Sequence, residues 1–157
     1  EGRLIGARNG SGPRVTPYGA VRTVTGSMHL VETGDLRLLL DCGLYQGRRA
    51  DFYDVNRRFP FEPSSIDAVV LSHAHLDHAG MLPRLVHQGF NGPIFCTPAT
   101  RNLLAIMLED AANLYLRDLL REPESAPASV LVAGPLVSEE DFRSLQALAS
   151  GLPCVQP

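Results

Sequence analysis

Long apolar runs are missing from this sequence: no stretch of roughly 18 or more apolar residues exists, so no transmembrane helix is expected. The N-terminal stretch EGRLIGARNGSGPRV also lacks the apolar core of a secretory signal, and we therefore expect a cytoplasmic protein without a membrane partner. The first residue is Glu1 rather than methionine, which suggests a fragment or a processed chain. Residues 1–13, which are rich in glycine, are predicted to form a flexible lead-in.

Cysteine and positive charge are also scarce. The three cysteines, Cys42, Cys96 and Cys154, are odd in number and show no CxxC spacing, which argues against a disulfide framework and against a cysteine-based zinc site. The formal net charge is −3 at pH 7, so the chain as a whole has no overall attraction for nucleic acid. A local basic cluster at residues 48–49 and 57–58 is typical of a solvated loop.

What the sequence does contain is typical of one globular α/β domain, or of a large part of one. Its 157 residues are 45% apolar and 20% charged, which is ordinary for a folded protein. Residues 27–33 and 36–41 have the pattern of strands joined by the turn residues Gly34 and Asp35. Residues 68–71 form a continuous aliphatic run, which predicts a strand buried on both faces of a sheet.

Two longer segments complete the pattern. Residues 43–65 are predicted to be a long loop, because two prolines near its end oppose a regular helix. Thr97 and the proline after it predict the start of an amphipathic helix that continues to about residue 120 and buries Leu103 in the core. A last helix is predicted over residues 138–149.

Three of the five histidines stand beside an aspartate in the short stretch SHAHLDHAG, immediately after the third predicted strand. Sites in α/β folds lie where strands end and loops leave the sheet. His73, His75 and Asp77 are spaced by two, so an extended loop presents their side chains on one side, and His78 follows directly. Imidazole nitrogens and carboxylate oxygens are zinc ligands, and two neighbouring ions suit the hydrolysis of esters and phosphodiesters. The density of these residues argues against a surface loop or ordinary core histidines.

Asp41 ends the second predicted strand in the stretch LLLDCGLYQG. A carboxylate at this position could orient the histidines by hydrogen bonding, as the partners of metal ligands commonly do. By spacing alone, an ordinary aspartate in a turn at the end of a strand is an equally good interpretation.

The stretch SHAHLDHAG resembles the HxHxDH signature of the metallo-β-lactamase superfamily, and LLLDCGLYQG resembles the aspartate-bearing motif upstream of it. The stretches TVTGSMHLVETG, NRRFPFEPSSIDAVVLSHAHLDHAGMLPRLVHQGFNGPIFCTPAT and LLAIMLEDAANL further resemble the β-CASP group of RNA-processing nucleases. The resemblance extends from about residue 15 to residue 120.

This resemblance implies the N-terminal half of an αβ/βα sandwich with a mixed sheet and flanking helices. It implies two zinc ions in a complete site and RNA as the substrate, whose phosphodiesters are hydrolysed by a metal-activated water. Carried over residue by residue, His73 and His75 would hold the first zinc, and Asp77 and His78 the second. Asp77 would also orient the nucleophilic water, and Asp41 would match the supporting aspartate.

The chain departs from the family pattern beyond the matched region. Family members supply a further histidine, a bridging aspartate and another histidine from downstream segments, and they carry an inserted β-CASP domain over the cleft. The remaining histidines, His29 in a predicted strand and His87 in a predicted helix, do not replace those ligands. Residues 14–157 are therefore expected to be the N-terminal part of a metallo-β-lactamase domain, inactive alone.

Two other interpretations remain open. The HxHxDH core is shared with thioesterases, lactonases and glyoxalase-like hydrolases of the same superfamily, although the flanking stretches favour the RNA branch. Alternatively, the chain is a non-catalytic truncated module. Half of a sandwich would leave an apolar sheet face exposed, which favours a homodimer.

Overall fold

The computed structural model describes residues 12–121, and it contains a five-stranded mixed sheet. The order in the sheet follows the chain, with the first three strands antiparallel and the last three parallel. This mixed sheet with flanking helices confirms the predicted fold class. The strands are β1 (Arg14–Pro17), β2 (His29–Thr33), β3 (Leu36–Leu40), β4 (Ala68–Val70) and β5 (Ile94–Phe95).

Helices occupy the connections between the strands and follow the last of them. They are α1 (Arg49–Asn56), α2 (Leu76–Ala79), α3 (Leu82–His87) and α4 (Pro98–Arg121), with a 3₁₀ turn at Pro63–Ser65. No helix of the described part of the chain is long and apolar enough to cross a membrane.

The β2–β3 hairpin forms where the sequence predicts it. Thr33 pairs with Leu36, which leaves Gly34 and Asp35 as a two-residue turn. Gly34 has a φ of +61°, a left-handed conformation that glycine adopts without steric cost and that tight hairpin turns require.

One face of the sheet forms the core. A single residue from each of four strands lies in register across the sheet, and each of these side chains is at most 1% exposed: Leu30, Leu39, Val69 and Ile94. They pack against buried leucines of α3 and α4, including Leu82, Leu85 and Leu108. Burying one such side chain contributes about 1.5–3 kcal/mol, so this row accounts for much of the sheet's stability.

The opposite face of the sheet is more open. Leu40 and Val70 are neighbours across β3 and β4, and they are 37% and 38% exposed. The prediction that residues 68–71, which contain β4, are buried on both faces of the sheet is therefore wrong at Val70. Its aliphatic composition does not distinguish a strand covered on two faces from one covered on a single face.

Two further predictions need correction. The predicted loop over residues 43–65 contains helix α1, which ends at Asn56, before either proline can interrupt it. Leu103 is 45% exposed, whereas Leu104 and Leu108 are buried, so the core-facing stripe of α4 lies one residue further along the chain. Residues 1–11 of the predicted lead-in over residues 1–13 lie outside the described residues, as does the predicted helix over residues 138–149.

Strand directions bring several chain segments to one edge of the sheet. The parallel strands β3, β4 and β5 end at this edge, and antiparallel pairing places the end of β1 and the start of β2 beside them. Residues 18–28, 41–48 and 71–79 therefore leave the sheet at the same edge. All the polar residues predicted to carry chemistry belong to the last two of these segments.

Candidate metal centre

The histidine loop begins directly after β4. Ser72 to His75 run without regular structure, and His75 has the extended conformation typical of a residue preceding a helix (φ −64°, ψ 148°). The short helix α2 then places Asp77 and His78 in its first turn. The change from extended chain to helix separates the four side chains into a leading pair, His73 with His75, and a trailing pair, Asp77 with His78.

Ligand atoms of each pair lie at the spacing that one metal ion requires. His73 Nε2 is 3.1 Å from His75 Nδ1, and His78 Nε2 is 3.5 Å from Asp77 Oδ2. Two ligands bound at about 2.0–2.2 Å to one tetrahedral zinc ion lie about 3.4 Å apart. Both pairs fit that geometry.

The two pairs are also adjacent to each other. Ligand atoms of His73, Asp77 and His78 all lie within 4.8 Å of one another, and the rings of His73 and His78 have centroids 4.0 Å apart. His75 lies outside this trio, and its ring packs edge-on against His73 at 4.7 Å. The structure thus brings together all four predicted residues, with His75 joined to the cluster through His73.

Asp41 lies behind the trailing pair. It follows β3 with a φ of +58°, an unusual conformation that aspartate tolerates better than most residues, and its N–H donates to the carbonyl of Val70. Asp41 Oδ2 is 2.8 Å from Nδ1 of His78, and the carboxylate is buried. This hydrogen bond to His78 is the contact that the orienting interpretation of Asp41 requires.

Two serines that the sequence interpretation missed complete this network. Ser72 donates its backbone N–H to Asp41 Oδ1 at 2.8 Å, and its hydroxyl lies 2.9 Å from the same oxygen. The Ser72 hydroxyl is also 3.0 Å from Nδ1 of His73 and 3.2 Å from Nδ1 of His78. Buried Ser27 donates its hydroxyl to Asp41 Oδ2 at 3.1 Å. Both serines lie next to motif residues, but only their positions across the sheet edge identify them as partners of Asp41.

Hydrogen bonding determines the charge state of Asp41. Burial raises its pKa, but donation from the Ser72 backbone and hydrogen bonds with the His78, Ser72 and Ser27 side chains outweigh burial and lower the pKa overall. Asp41 is therefore an ionised acceptor at neutral pH, which favours a proton on Nδ1 of His78. The lone pair of that ring is then on Nε2, the nitrogen that faces Asp77.

Backbone hydrogen bonds hold the trailing pair in place. Ser27 donates its N–H to the carbonyl of Asp77 at 2.7 Å, and Cys42 donates its N–H to that of His78 at 2.7 Å. Gly43 passes so close that a Cβ there would overlap the carbonyl oxygen of Asp77. Fully buried Cys42 is not a ligand in this arrangement, and burial, followed by the charge of Asp41, raises the pKa of its thiol.

The other two histidines lie away from the cluster. His29 begins β2 and is half-buried opposite Leu40, and His87 is exposed at the end of α3. Among residues 12–121, the group of His73, Asp77 and His78 is the one set of three or more ligand-type side chains close enough to hold a metal.

The sequence of this chain matches one family model and several known proteins. A family model described as the metallo-beta-lactamase superfamily matches residues 21–148. Ribonuclease TTHA0252 from Thermus thermophilus is 45% identical over 117 residues, which cover 74% of this chain and 26% of the relative. Transcription termination factor FttA from Methanosarcina mazei is 40% identical over 108 residues, which cover 67% of this chain and 17% of that protein. The chain therefore spans about a quarter or less of the length of these relatives.

Among solved structures, a metallo-beta-lactamase from Cronobacter sakazakii with a HARLDQ motif is similar to this chain. It is 25% identical, with a TM-score of 0.44, and the match covers 61% of this chain and 35% of that structure.

Proposed function

Because the chain belongs to the metallo-β-lactamase superfamily, we propose that it is part of a β-CASP-type ribonuclease that hydrolyses RNA phosphodiesters with zinc. The RNA branch is supported by relatives named as a ribonuclease and as a transcription termination factor, at 45% and 40% identity. The observation that carries the proposed chemistry is the spacing of the two ligand pairs, 3.1 Å and 3.5 Å, each suited to one ion.

The donor set fits zinc. Three imidazoles and one carboxylate are ligands that zinc prefers, and no thiolate is part of the cluster. In the proposed site, His73 and His75 hold one ion, and Asp77 and His78 hold the other. When bound, two such ions supply Lewis acidity toward the phosphoryl oxygens and make water more acidic.

The remaining contributions come from the chain's own side chains. Asp77 has a second carboxylate oxygen that can accept a hydrogen bond from water and orient it, which makes Asp77 the proposed catalytic residue. Asp41 acts through His78, since it fixes the ring so that Nε2 faces Asp77.

The four residues supply two ligands for each ion. Catalytic zinc sites usually have three protein ligands and an open position for water. We therefore propose that further ligands come from other parts of the intact protein, and that residues 1–157 alone bind zinc weakly and hydrolyse little RNA. RNA is the proposed partner of the intact protein, and dimerisation through the open sheet face stays a prediction.

Zinc titration and RNA cleavage test this proposal together. Isothermal titration of the 157-residue chain should show weak zinc binding that is lost in the double variant His73→Ala/His78→Ala and retained in the control His87→Ala. An extended chain, as long as the ribonuclease relative, should cleave a labelled RNA but not a thioester or a lactone. Efficient RNA cleavage by residues 1–157 alone would contradict the proposed incomplete site, and preference for a thioester would contradict the RNA branch.

A further inference from the structure

A cleft of about 220 Å³ lies at the same sheet edge as the histidine loop. Its walls come from the β1–β2 connection, the segment after β3, the end of α1 and the chain that follows α1. This volume is below the roughly 300–1,000 Å³ typical of sites for drug-sized ligands, so the cleft suits a smaller group. The residues that matter here are Tyr18, Thr25, Tyr45, Asn56, Arg58 and Phe59, which we call the aromatic cleft.

Three aromatic rings line this cleft within a fixed frame. The rings of Tyr18 and Phe59 both pack on that of Phe61, with centroids 5.5 Å and 5.4 Å apart. Buried Asn56 accepts a hydrogen bond from the N–H of Tyr45 at 2.8 Å and donates to the carbonyl of Tyr45 at 2.9 Å. The backbone that carries the Tyr45 ring is therefore fixed before any ligand arrives.

The wall formed by the β1–β2 connection is strained and exposed. Ala20 and Arg22 have φ values of +54° and +59°, which are uncommon for residues other than glycine. Val24, in the same connection, is 91% exposed. Strained backbone of this kind concentrates at functional sites, where the surrounding structure maintains it.

The charge around the cleft favours an anionic ligand. The chain has 17 acidic residues, yet none of the residues lining the cleft is acidic, and Arg58 is the charged residue among them. Every one of the 14 cationic residues of this sequence is an arginine, whose planar guanidinium stacks on aromatic rings and bases as well as binding phosphate. Among the side chains that the structure describes, Arg58 has no carboxylate partner.

The cleft and the candidate metal centre share one stretch of backbone. Gly43 lines the cleft, and the absence of a side chain there lets the chain pass directly against the carbonyl of Asp77. Gly43 also donates its N–H to the carbonyl of Ser27, and the N–H of Ser27 donates to the carbonyl of Asp77. The cleft therefore borders the segment that carries Asp77.

We propose that the aromatic cleft binds a nucleobase of the RNA, next to the phosphodiester held at the metal centre; this inference rests on the proposed function. The base stacks on the aromatic side chains, while Arg58 faces the backbone phosphates. Base–aromatic stacking is tolerant of sequence, because every base has a π-face. The cleft therefore increases affinity for single-stranded RNA without selecting a particular sequence.

Fluorescence anisotropy on the 157-residue chain tests the proposal in the presence of EDTA, so that coordination of phosphate by metal does not contribute. The probes are a labelled adenylate hexanucleotide and an abasic hexanucleotide with the same number of phosphates. We expect the base-containing probe to bind about tenfold more tightly. Tyr45→Leu and Phe59→Leu should remove most of this difference, whereas Tyr45→Phe should retain it because the ring remains.

A charge-matched pair of variants separates stacking from phosphate contact. Arg58→Gln should weaken the binding of both probes. It should also reduce the slope of log affinity against log salt concentration by about one. Arg14→Gln, at the opposite end of β1, should change neither the affinity nor its salt dependence.

Equal affinity for the two probes overturns the proposal without requiring any variant to fold. So does unchanged binding by a folded Phe59→Leu chain. The zinc titration, run on EDTA-free aliquots of the same preparations, is independent, so failure of the metal site is recognised separately.

Discussion

His75 and His78 lie three residues apart on one loop, yet their surroundings differ. The side chain of His75 is exposed, and its ring meets the cluster at His73. The ring of His78 is hydrogen-bonded to Asp41, and its carbonyl accepts from Cys42. The trailing pair is thus held in place by hydrogen bonds from the segment after β3, whereas the ring hydrogen bonds of the leading pair run within its own stretch of chain, from His73 to Ser72 and His75. One loop therefore combines a preorganised half with an adaptable half.

The strongest way to disrupt the trailing pair is to move its backbone. In Gly43→Ala the new methyl group would overlap the carbonyl oxygen of Asp77, so the segment after β3 must move away from α2. We expect a loss of about 3 kcal/mol or more in the free energy of unfolding, measured by urea denaturation. The control Gly12→Ala places its methyl group in open space and should behave as the parent chain. Equal stability of both variants would show that this contact is not tight.

Removing the charge of Asp41 should release the ring of His78 from its fixed orientation. Asp41→Asn keeps the shape of the residue but weakens its acceptance from His78, so the ring loses its preferred tautomer. Loss of such a partner typically lowers metal affinity by about 10- to 100-fold, and competition with a chromophoric chelator measures it. Asp67→Asn is the matched control, since Asp67 accepts the N–H of Arg37 at the opposite edge. Unchanged zinc affinity in Asp41→Asn would contradict the orienting role.

Stability without metal should distinguish the two histidines most directly. In EDTA, His78→Ala leaves buried Asp41 without one of its hydrogen-bond partners, which should cost about 1–3 kcal/mol. His75→Ala removes an exposed ring and should change stability by no more than about 0.5 kcal/mol. Urea midpoints of the two variants, measured side by side, give the difference. A larger loss of stability in His75→Ala than in His78→Ala would show that the fold fixes the leading pair more firmly than the trailing pair.

The sequence predicted the parts of the fold that local chemistry determines. The β2–β3 hairpin follows from Gly34 between two apolar runs. Helix α4 starts where Thr97 predicts, and the hydroxyl of Thr97 accepts the N–H of Thr100 at 3.2 Å. Local rules failed where packing decides the outcome. Rotation of α4 exposes Leu103, and α1 forms in a polar stretch whose last residue, Asn56, is fixed by contacts with Tyr45.

The candidate site was predictable to a similar extent. The four clustered residues lie within six consecutive positions, so their spacing indicated the chemistry directly. Ser27 and Ser72 were missed because their role exists only through Asp41, which lies 14 residues from one and 31 from the other. Strand pairing, rather than any local pattern, brings these three residues together.

The separation between Asp41 and His78 has a kinetic consequence. These residues are 37 positions apart, and their contact depends on the parallel pairing of β3 with β4. His73 and His75 are two positions apart, so an unfolded chain can already bring both to one ion. Pairing of distant parallel strands is slow, because the intervening chain must be ordered first. Either pair of ligands can therefore meet an ion before the sheet forms, whereas the hydrogen bond by which Asp41 orients the ring of His78 arises only when β3 and β4 have paired, which makes the orientation of that ring a reporter of folding.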